Sequence, residues 1–289
     1  VLSGGSNILL IQDIDKLVIH LNIKGIESEI LNDNEVLVKA MAGENWHDFV
    51  LWCIQHDYGG LENLSLIPGK VGTSPIQNIG AYGVEIKDLF TELTALEIAT
   101  GKLKKFNASM CEFGYRNSVF KNELKGRFII VDVSFKLTRK KHNINTEYGA
   151  IRSLLKSENP GISEISDAVI TIRQSKLPDP EQIGNSGSFF KNPVVNNTLF
   201  ERIQARYPQM PFYPVDDTTT KIPAGWLIEQ CGFKGKRFGE AGVHKNQALV
   251  LVNHGNATGK ELLALAERIQ KKVCDFFGIT LEMEVNIIQ

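Results

Sequence analysis

The stretch Pro68-Gly-Lys-Val-Gly-Thr-Ser-Pro-Ile-Gln-Asn-Ile-Gly-Ala-Tyr-Gly83 decides how this chain is read. It holds four glycines and two prolines, and its one charge is Lys70. Pro68 and Pro75 fix φ and remove backbone donors, so neither a long helix nor a central strand runs through it. Glycines, lacking a Cβ, let backbone N–H groups approach a ligand and bond phosphate oxygens. Thr73, Ser74, Gln77 and Asn78 add neutral hydrogen-bonding groups. A shorter stretch of the same kind, Ser3-Gly-Gly-Ser-Asn7, opens the chain and offers Ser6. The standard nucleotide patterns fail. No G-x-G-x-x-G follows a strand, and Val71 stands after Gly69-Lys70 where a Walker loop needs Ser or Thr. Two readings stand: long surface loops of a β-rich domain, or a cradle for a diphosphate cofactor that is neither Rossmann nor P-loop.

Outward from this stretch, the first half reads as strand. Phe128-Ile-Ile-Val-Asp-Val-Ser-Phe-Lys-Leu137 sets Ile129, Val131, Val133, Phe135 and Leu137 on one face at period two. Residues 91–99 and 102–106 flank Thr100-Gly101, a hairpin signal. One helix is expected over 45–57, closed by Gly59-Gly60. Lys176-Leu-Pro-Asp-Pro180 marks a boundary, because its two prolines block both helix and ladder. Beyond it, strand and helix alternate. Thr258-Gly-Lys-Glu261 fits a capping box and opens a helix with Leu262, Ala266, Ile269, Val273 and Phe276 inward, stopped by Gly278. That helix lies between expected strands at 247–253 and 279–287.

Composition excludes several classes. The 289 residues are 43% hydrophobic and 22% charged, with 32 Lys+Arg against 33 Asp+Glu. This length is a prior for about two domains. The charge balance argues against a nucleic-acid binder, and no apolar run reaches the ~18 residues of a membrane span. Cys53, Cys111, Cys231 and Cys274 are scattered, as thiols of a reducing compartment are, so a cytoplasmic location is expected. The six histidines form no HxH or HxxxH pair, and no metal is expected. Val1 lies in a stretch without a signal-peptide pattern, and the chain is expected to begin inside a domain.

Several residues have chemical uses to weigh against plain ones. Ser188, between Gly187 and Phe189, is a turn residue or a hydroxyl proton donor with Lys191 as a neighbour. Glu282 and Glu284 share one strand face, about 7 Å apart at Cα, either solvated or lining a cleft. Arg116, in Phe113-Gly-Tyr-Arg-Asn-Ser118, offers a fork for an anion or makes a surface ion pair. Tyr148 covers a loop or folds over a ligand. Lys176 solvates the boundary or clamps a phosphate.

Taken together, the segments resemble the UDP-N-acetylenolpyruvoylglucosamine reductase family along nearly the whole chain. The segments are Gly4-Gly-Ser-Asn-Ile-Leu9, Gly43-Glu-Asn-Trp-His47, Gly60-Leu-Glu-Asn-Leu64, Ile67-Pro-Gly-Lys-Val-Gly72 and Pro75-Ile-Gln-Asn-Ile-Gly-Ala-Tyr-Gly-Val-Glu85. Phe113-Gly-Tyr-Arg116, Lys176-Leu-Pro-Asp-Pro180, Gly187-Ser-Phe-Phe-Lys-Asn-Pro193, Ala224-Gly-Trp-Leu-Ile-Glu-Gln230 and Leu281-Glu-Met-Glu-Val285 complete the set. Gly-Ala-Tyr-Gly at 80–83 and the Tyr148 loop look like the type I branch.

The resemblance implies an α+β fold. An FAD-binding region of the vanillyl-alcohol-oxidase (PCMH) type in two subdomains would precede a C-terminal α/β substrate domain. The implied division is 1–22 for an incomplete first FAD subdomain, 23–177 for the second, 178–278 for substrate and 279–289 for a returning strand. FAD would be held by Gly4, Gly5, Ser6, Asn7, Pro68, Gly69, Gly72, Ser74, Gln77, Asn78, Gly80 and Gly83. NADPH would be the reductant and an enolpyruvyl UDP-sugar the substrate. By match, Ser188 donates a proton, Arg116 and Glu284 stabilise the enolic intermediate, and Tyr148, Lys176, Asn192 and Gln230 contact the UDP portion. Asn286 stands where such relatives often carry arginine. A monomer, with neither nucleic-acid nor membrane partner, is the expected state.

Overall fold

Phe128–Arg139 is the spine of the first half, pairing antiparallel with Glu35–Met41 on one side and Phe90–Glu97 on the other. Ile26–Ile30 and Leu103–Asn107 form the edges, and Tyr58–Gly59 completes a six-stranded sheet. The computed structural model describes residues 1–289, Gly149 through its backbone alone. Contacts divide the chain into two compact units, Val1–Gly5 with Leu17–Arg173, and Ser6–Lys16 with Gln174–Gln289.

The expected face of the spine needs one correction. Val133, Phe135 and Leu137 are buried, but Ile130 is buried in place of Ile129 and Val131. Thr94 pairs with Asp132 while Ala95 pairs with Ile130, leaving Val131 as an extra residue. Such a bulge sends every residue before it to the opposite face. The expected helix is Trp46–Gln55, capped by the Asn45 side chain on the amides of His47 and Asp48. It buries Trp46, Phe49, Val50 and Cys53, and the Trp46 and Phe49 rings lie 5.9 and 5.6 Å from that of Phe135.

In the second unit, Gly184–Ser188, Val250–Asn253, Ala241–Val243 and Arg237–Phe238 form an antiparallel sheet in that order. The helix Gly259–Phe277 packs against this sheet, with Thr258 and Glu261 completing the capping box and Gly278 ending it at φ 72°. Its last turn departs from the expected stripe. Phe277 enters the core against Tyr207 and Trp226, and Phe276 is 39% exposed beside the Arg206 guanidinium.

The final strand also departs from expectation. Only Asn286–Ile288 forms a ladder, and it pairs in parallel with Ile8–Leu10 rather than beside Val250–Asn253. Leu281 and Val285 drop into the core, while Met283 makes a single bridge to Phe190. Residues 6–16, expected in a first FAD subdomain, group with the C-terminal unit through this pairing.

Candidate active site

In the first unit, the loop at 68–83 is laced to the segment before the Trp46–Gln55 helix. Trp46 N–H donates to Gly69 O at 3.1 Å, Val71 N–H to Glu44 O at 2.9 Å and Gly72 N–H to Ala42 O at 3.0 Å. Gly72 is obligatory here, because a Cβ on it would lie 2.4 Å from that of Ala42. A Cβ on Gly4 would lie 3.1 Å from the Gly69 Cα, so the two glycine stretches meet backbone to backbone. Beside them the Ser3 hydroxyl is buried with no hydrogen-bond partner among the described residues. Gly5 takes φ 66° and Gly83 φ 82°, both open to solvent, as is Pro68.

The polar residues of this loop divide by use. Ser74 donates its hydroxyl to Val71 O at 2.7 Å inside its own turn. Asn78 is fully buried at φ 43°, and its amide donates to Glu85 Oε2 at 2.8 Å and Gly114 O at 3.0 Å. Its Oδ1 accepts from Lys87 N–H at 3.1 Å. That side chain is spent holding the loop together. Gln77 is half-buried, and a Cβ on Gly80 would lie 2.7 Å from Glu85 Cγ.

Arg116 sits in a two-residue turn closed by paired Gly114–Asn117 hydrogen bonds, at φ 51°. Its guanidinium donates to Gly80 O at 2.7 Å and lies 5.7 Å from the Tyr115 ring. With Asn78 and Tyr82 (φ 50°), it makes three left-handed non-glycine residues in one small region. Strain of this kind collects where a site over-determines its backbone.

Sequence reasoning missed Arg173 and the role of Tyr82. Arg173 donates Nε–H to Leu66 O at 3.2 Å and bonds the Tyr82 phenol. Burial lowers its pKa first, and the Arg116 charge lowers it further, so two guanidiniums share one neighbourhood. Burial also raises the Tyr82 phenol. Tyr148, 37% exposed, stands edge-on to Tyr82 at 5.1 Å. The available signal was spacing, since Arg173 follows the buried Ile165 and Val169 on the same face of the helix Ile162–Lys176.

In the second unit, Ser188 ends its strand after a bulge and after Gly187 at φ 73°. Among the described residues, no group hydrogen-bonds its hydroxyl. Glu284 N–H donates to Phe189 O at 2.9 Å, which brings Glu284 beside the residue that follows Ser188. Ser186 Oγ donates to Ile8 O at 2.8 Å, tying in the segment that carries Ser6 and Asn7. Lys191, expected to ease proton release from Ser188, pairs its ammonium with Glu282 instead. Glu282 is exposed and Glu284 half-buried, so the two carboxyls have different surroundings.

Asn192 Oδ1 accepts from Ala224 N–H at 2.9 Å, capping the helix Ala224–Gln230 and leaving its NH2 as a donor. Gln230 is exposed at the far end of that helix, about 10 Å away at 1.5 Å per residue. Lys176 is exposed at the end of its own helix. No cluster of three or more metal-ligating side chains occurs among the described residues.

Known proteins resemble this chain from end to end. Residues 1–107 match the FAD binding domain, and residues 179–288 match the UDP-N-acetylenolpyruvoylglucosamine reductase, C-terminal domain. The UDP-N-acetylenolpyruvoylglucosamine reductase of Flavobacterium johnsoniae is 58% identical over 100% of this chain and 86% of its own length. That of Amoebophilus asiaticus is 52% identical over the same shares, 100% and 86%. A crystal structure of the reductase (MurB) from Thermus caldophilus shares the fold, with TM-score 0.59 and 23% identity over 86% of this chain and 71% of that one. With its site geometry in place and relatives of this identity along its whole length, the chain belongs to the UDP-N-acetylenolpyruvoylglucosamine reductase family.

Proposed function

We infer that this chain reduces UDP-N-acetylglucosamine enolpyruvate to UDP-N-acetylmuramate, with NADPH as reductant and FAD as resident redox group, in peptidoglycan precursor synthesis. The observation that carries this reading is the Glu284 N–H on Phe189 O at 2.9 Å, which brings Glu284 beside the residue that follows Ser188.

The residues fit FAD. The Gly4–Gly69 approach leaves a cradle that a Cβ on Gly4 would crowd, and the Ser3 hydroxyl beside it is an orphaned donor. Backbone amides of Gly4, Gly5 and the 68–83 loop would hold the diphosphate, with Gln77 and Gly83 at its border. When bound, FAD supplies the NADPH-derived hydride to the terminal vinyl carbon of the substrate.

The protein's part is a proton and charge. Hydride addition turns the vinyl CH2 into CH3 and leaves an enolate spread over the adjacent carbon and the carboxyl. Ser188 Oγ–H gives its proton to that carbon and recovers it from solvent. Arg116, held planar against Gly80 O, supplies positive charge where the enolate develops. Glu284 helps as an acid, hydrogen-bonding the enolic oxygen. Asn192 and Gln230, at opposite ends of one short helix, suit an extended UDP group, with Lys176 on its phosphates and Tyr148 closing over it.

Residues 23–177 would form the larger FAD part, 178–278 the substrate domain, and 279–289 the returning strand. The enzyme works as a cytoplasmic monomer, and no helix among the described residues is long and apolar enough to cross a membrane. The test is NADPH oxidation with and without enolpyruvyl-UDP-GlcNAc. Stimulation by the substrate is expected, and its absence with a yellow holoenzyme would sink the reading.

A further inference from the structure

We propose that Asn286 is a positioning residue that sets Glu284 through Asn7. The inference rests on the reading of Glu284 as the acid at the enolic oxygen. Both polar groups of the Glu284 peptide are tied. Its N–H donates to Phe189 O at 2.9 Å, and its carbonyl accepts from Asn7 Nδ2 at 3.3 Å. Asn7 is held in turn by residue 286. The Asn7 carbonyl accepts from Asn286 N–H at 3.1 Å and from Asn286 Nδ2 at 3.0 Å.

Two donors on one carbonyl fill both its lone pairs and fix the plane of that peptide. The Asn7 side chain leaves the chain beside that plane, so its reach toward Glu284 follows from it. The first of these bonds is main chain, and any residue at 286 supplies it. The second needs a short side chain that ends in a donor, and asparagine provides one. The amide of Asn286 is therefore spent on the main chain of the site rather than on a ligand phosphate. Ile8–Leu10 pairing with Asn286–Ile288 extends the same clamp away from the site, ending in Ile11 N–H on Ile288 O at 3.2 Å.

The chemistry makes this position sensitive. A carboxyl that stabilises developing charge acts over hydrogen-bond distance, and a misplacement of about 1 Å costs up to ~100-fold in rate. Glu284 is assigned to the enolic oxygen of the substrate alone, so a positioning defect would be confined to the substrate-reducing half of the cycle.

The experiment compares wild type, Asn286→Ala, Asn286→Asp, Asn7→Ala and the Asn7→Ala/Asn286→Ala double variant as holoenzymes in stopped flow. Reduction by NADPH and reoxidation by enolpyruvyl-UDP-GlcNAc are followed separately at the flavin band. Hydrogen exchange of peptides covering 281–289 is followed in parallel. Expected for Asn286→Ala is reoxidation slowed about tenfold, reduction within about twofold, and faster exchange at 281–289 but not in Gly259–Phe277. Asn286→Asp, the same size without a donor, should behave alike. In the Asn7→Ala background, Asn286→Ala should add little, because the link is already cut. If wild type is reoxidised and Asn286→Ala matches it, or slows both halves equally, the positioning role is overturned. If enolpyruvyl-UDP-GlcNAc fails to reoxidise wild type, the functional reading falls, and this inference with it.

Discussion

The Tyr82 and Tyr148 rings meet edge to face, their centroids 5.1 Å apart and their planes at 89°. Tyr82 is the fixed partner, because its backbone is left-handed and its phenol is bonded to Arg173. Arg173 grips the Leu66 carbonyl as well, at 3.2 Å. The planar fork of arginine can hold two acceptors at set angles, which an ammonium cannot. Arg173→Lys should therefore free Tyr82, and with it the platform on which Tyr148 rests. Steady-state kinetics should show KM for the UDP-sugar raised about fivefold to tenfold, the loss of one charge-assisted hydrogen bond. A lower kcat at unchanged KM would contradict it.

Ser188→Ala removes the proposed proton donor and little else, since no described group depends on that hydroxyl. NADPH should reduce the variant at the wild-type rate. Reoxidation by substrate should slow by about 10²–10⁴-fold, the usual range for a positioned proton donor. Equal losses in both halves would point to damaged cofactor binding instead.

Arg116 combines a left-handed backbone with a fork already committed on one side to Gly80 O at 2.7 Å. Arg116→Lys keeps the charge but loses the planar fork that would hold Gly80 and a substrate carboxylate at fixed angles. The reoxidation rate should fall about 10²-fold, on the scale of losing one aimed donor at a developing oxyanion. Near-normal turnover would remove Arg116 from the reaction.

Much of this was legible in the chain, and the failures have causes. Gly4, Gly69 and Gly72 mark the cradle because main chain is approached closely there, and absence of a Cβ is written directly in the sequence. Thr258 and Glu261 were readable because helix caps act within three residues. The face of Phe128–Arg139 was misread since a bulge at Val131 depends on the partner strand, not on local pattern. Phe277 displaced Phe276 because Tyr207 and Trp226 offer rings on that side. Lys191 looked toward Ser188 in sequence but found Glu282, remote along the chain. Arg173 and Asn286 act through partners remote along the chain, which no window of sequence displays.

Asn78 shows how a site residue can be structural first. Its buried amide serves a carboxylate, a carbonyl and an amide N–H, each of which loses one hydrogen bond in Asn78→Ala. Alanine would also inherit a φ of 43° that it adopts poorly. Urea unfolding should show a loss of about 2–4 kcal/mol. FAD affinity should fall with it. A stable variant with weak FAD binding would mean that Asn78 acts on the cofactor directly.

Leu66 is gripped on both sides of its left-handed peptide, by Arg173 at its carbonyl and by His47 at its N–H. The Leu66 N–H donates to His47 Nδ1 at 3.0 Å, which requires that nitrogen to be unprotonated. Burial lowers the His47 pKa, and Asp48 only partly opposes it. The unfolded chain, with a histidine pKa near ~6.5, therefore binds more protons than the folded one just below that pH. This contribution to stability is complete above about pH 6.5 and is lost as pH falls through the depressed folded value. His47→Gln cannot titrate, so the gap in urea midpoint between wild type and His47→Gln should stay level above about pH 6.5 and narrow from there to pH 5. A gap constant with pH would show that the imidazole is not held neutral. Because Leu66 also anchors Arg173, acid should raise KM for the UDP-sugar in wild type while leaving Arg173→Lys, already loosened, less affected.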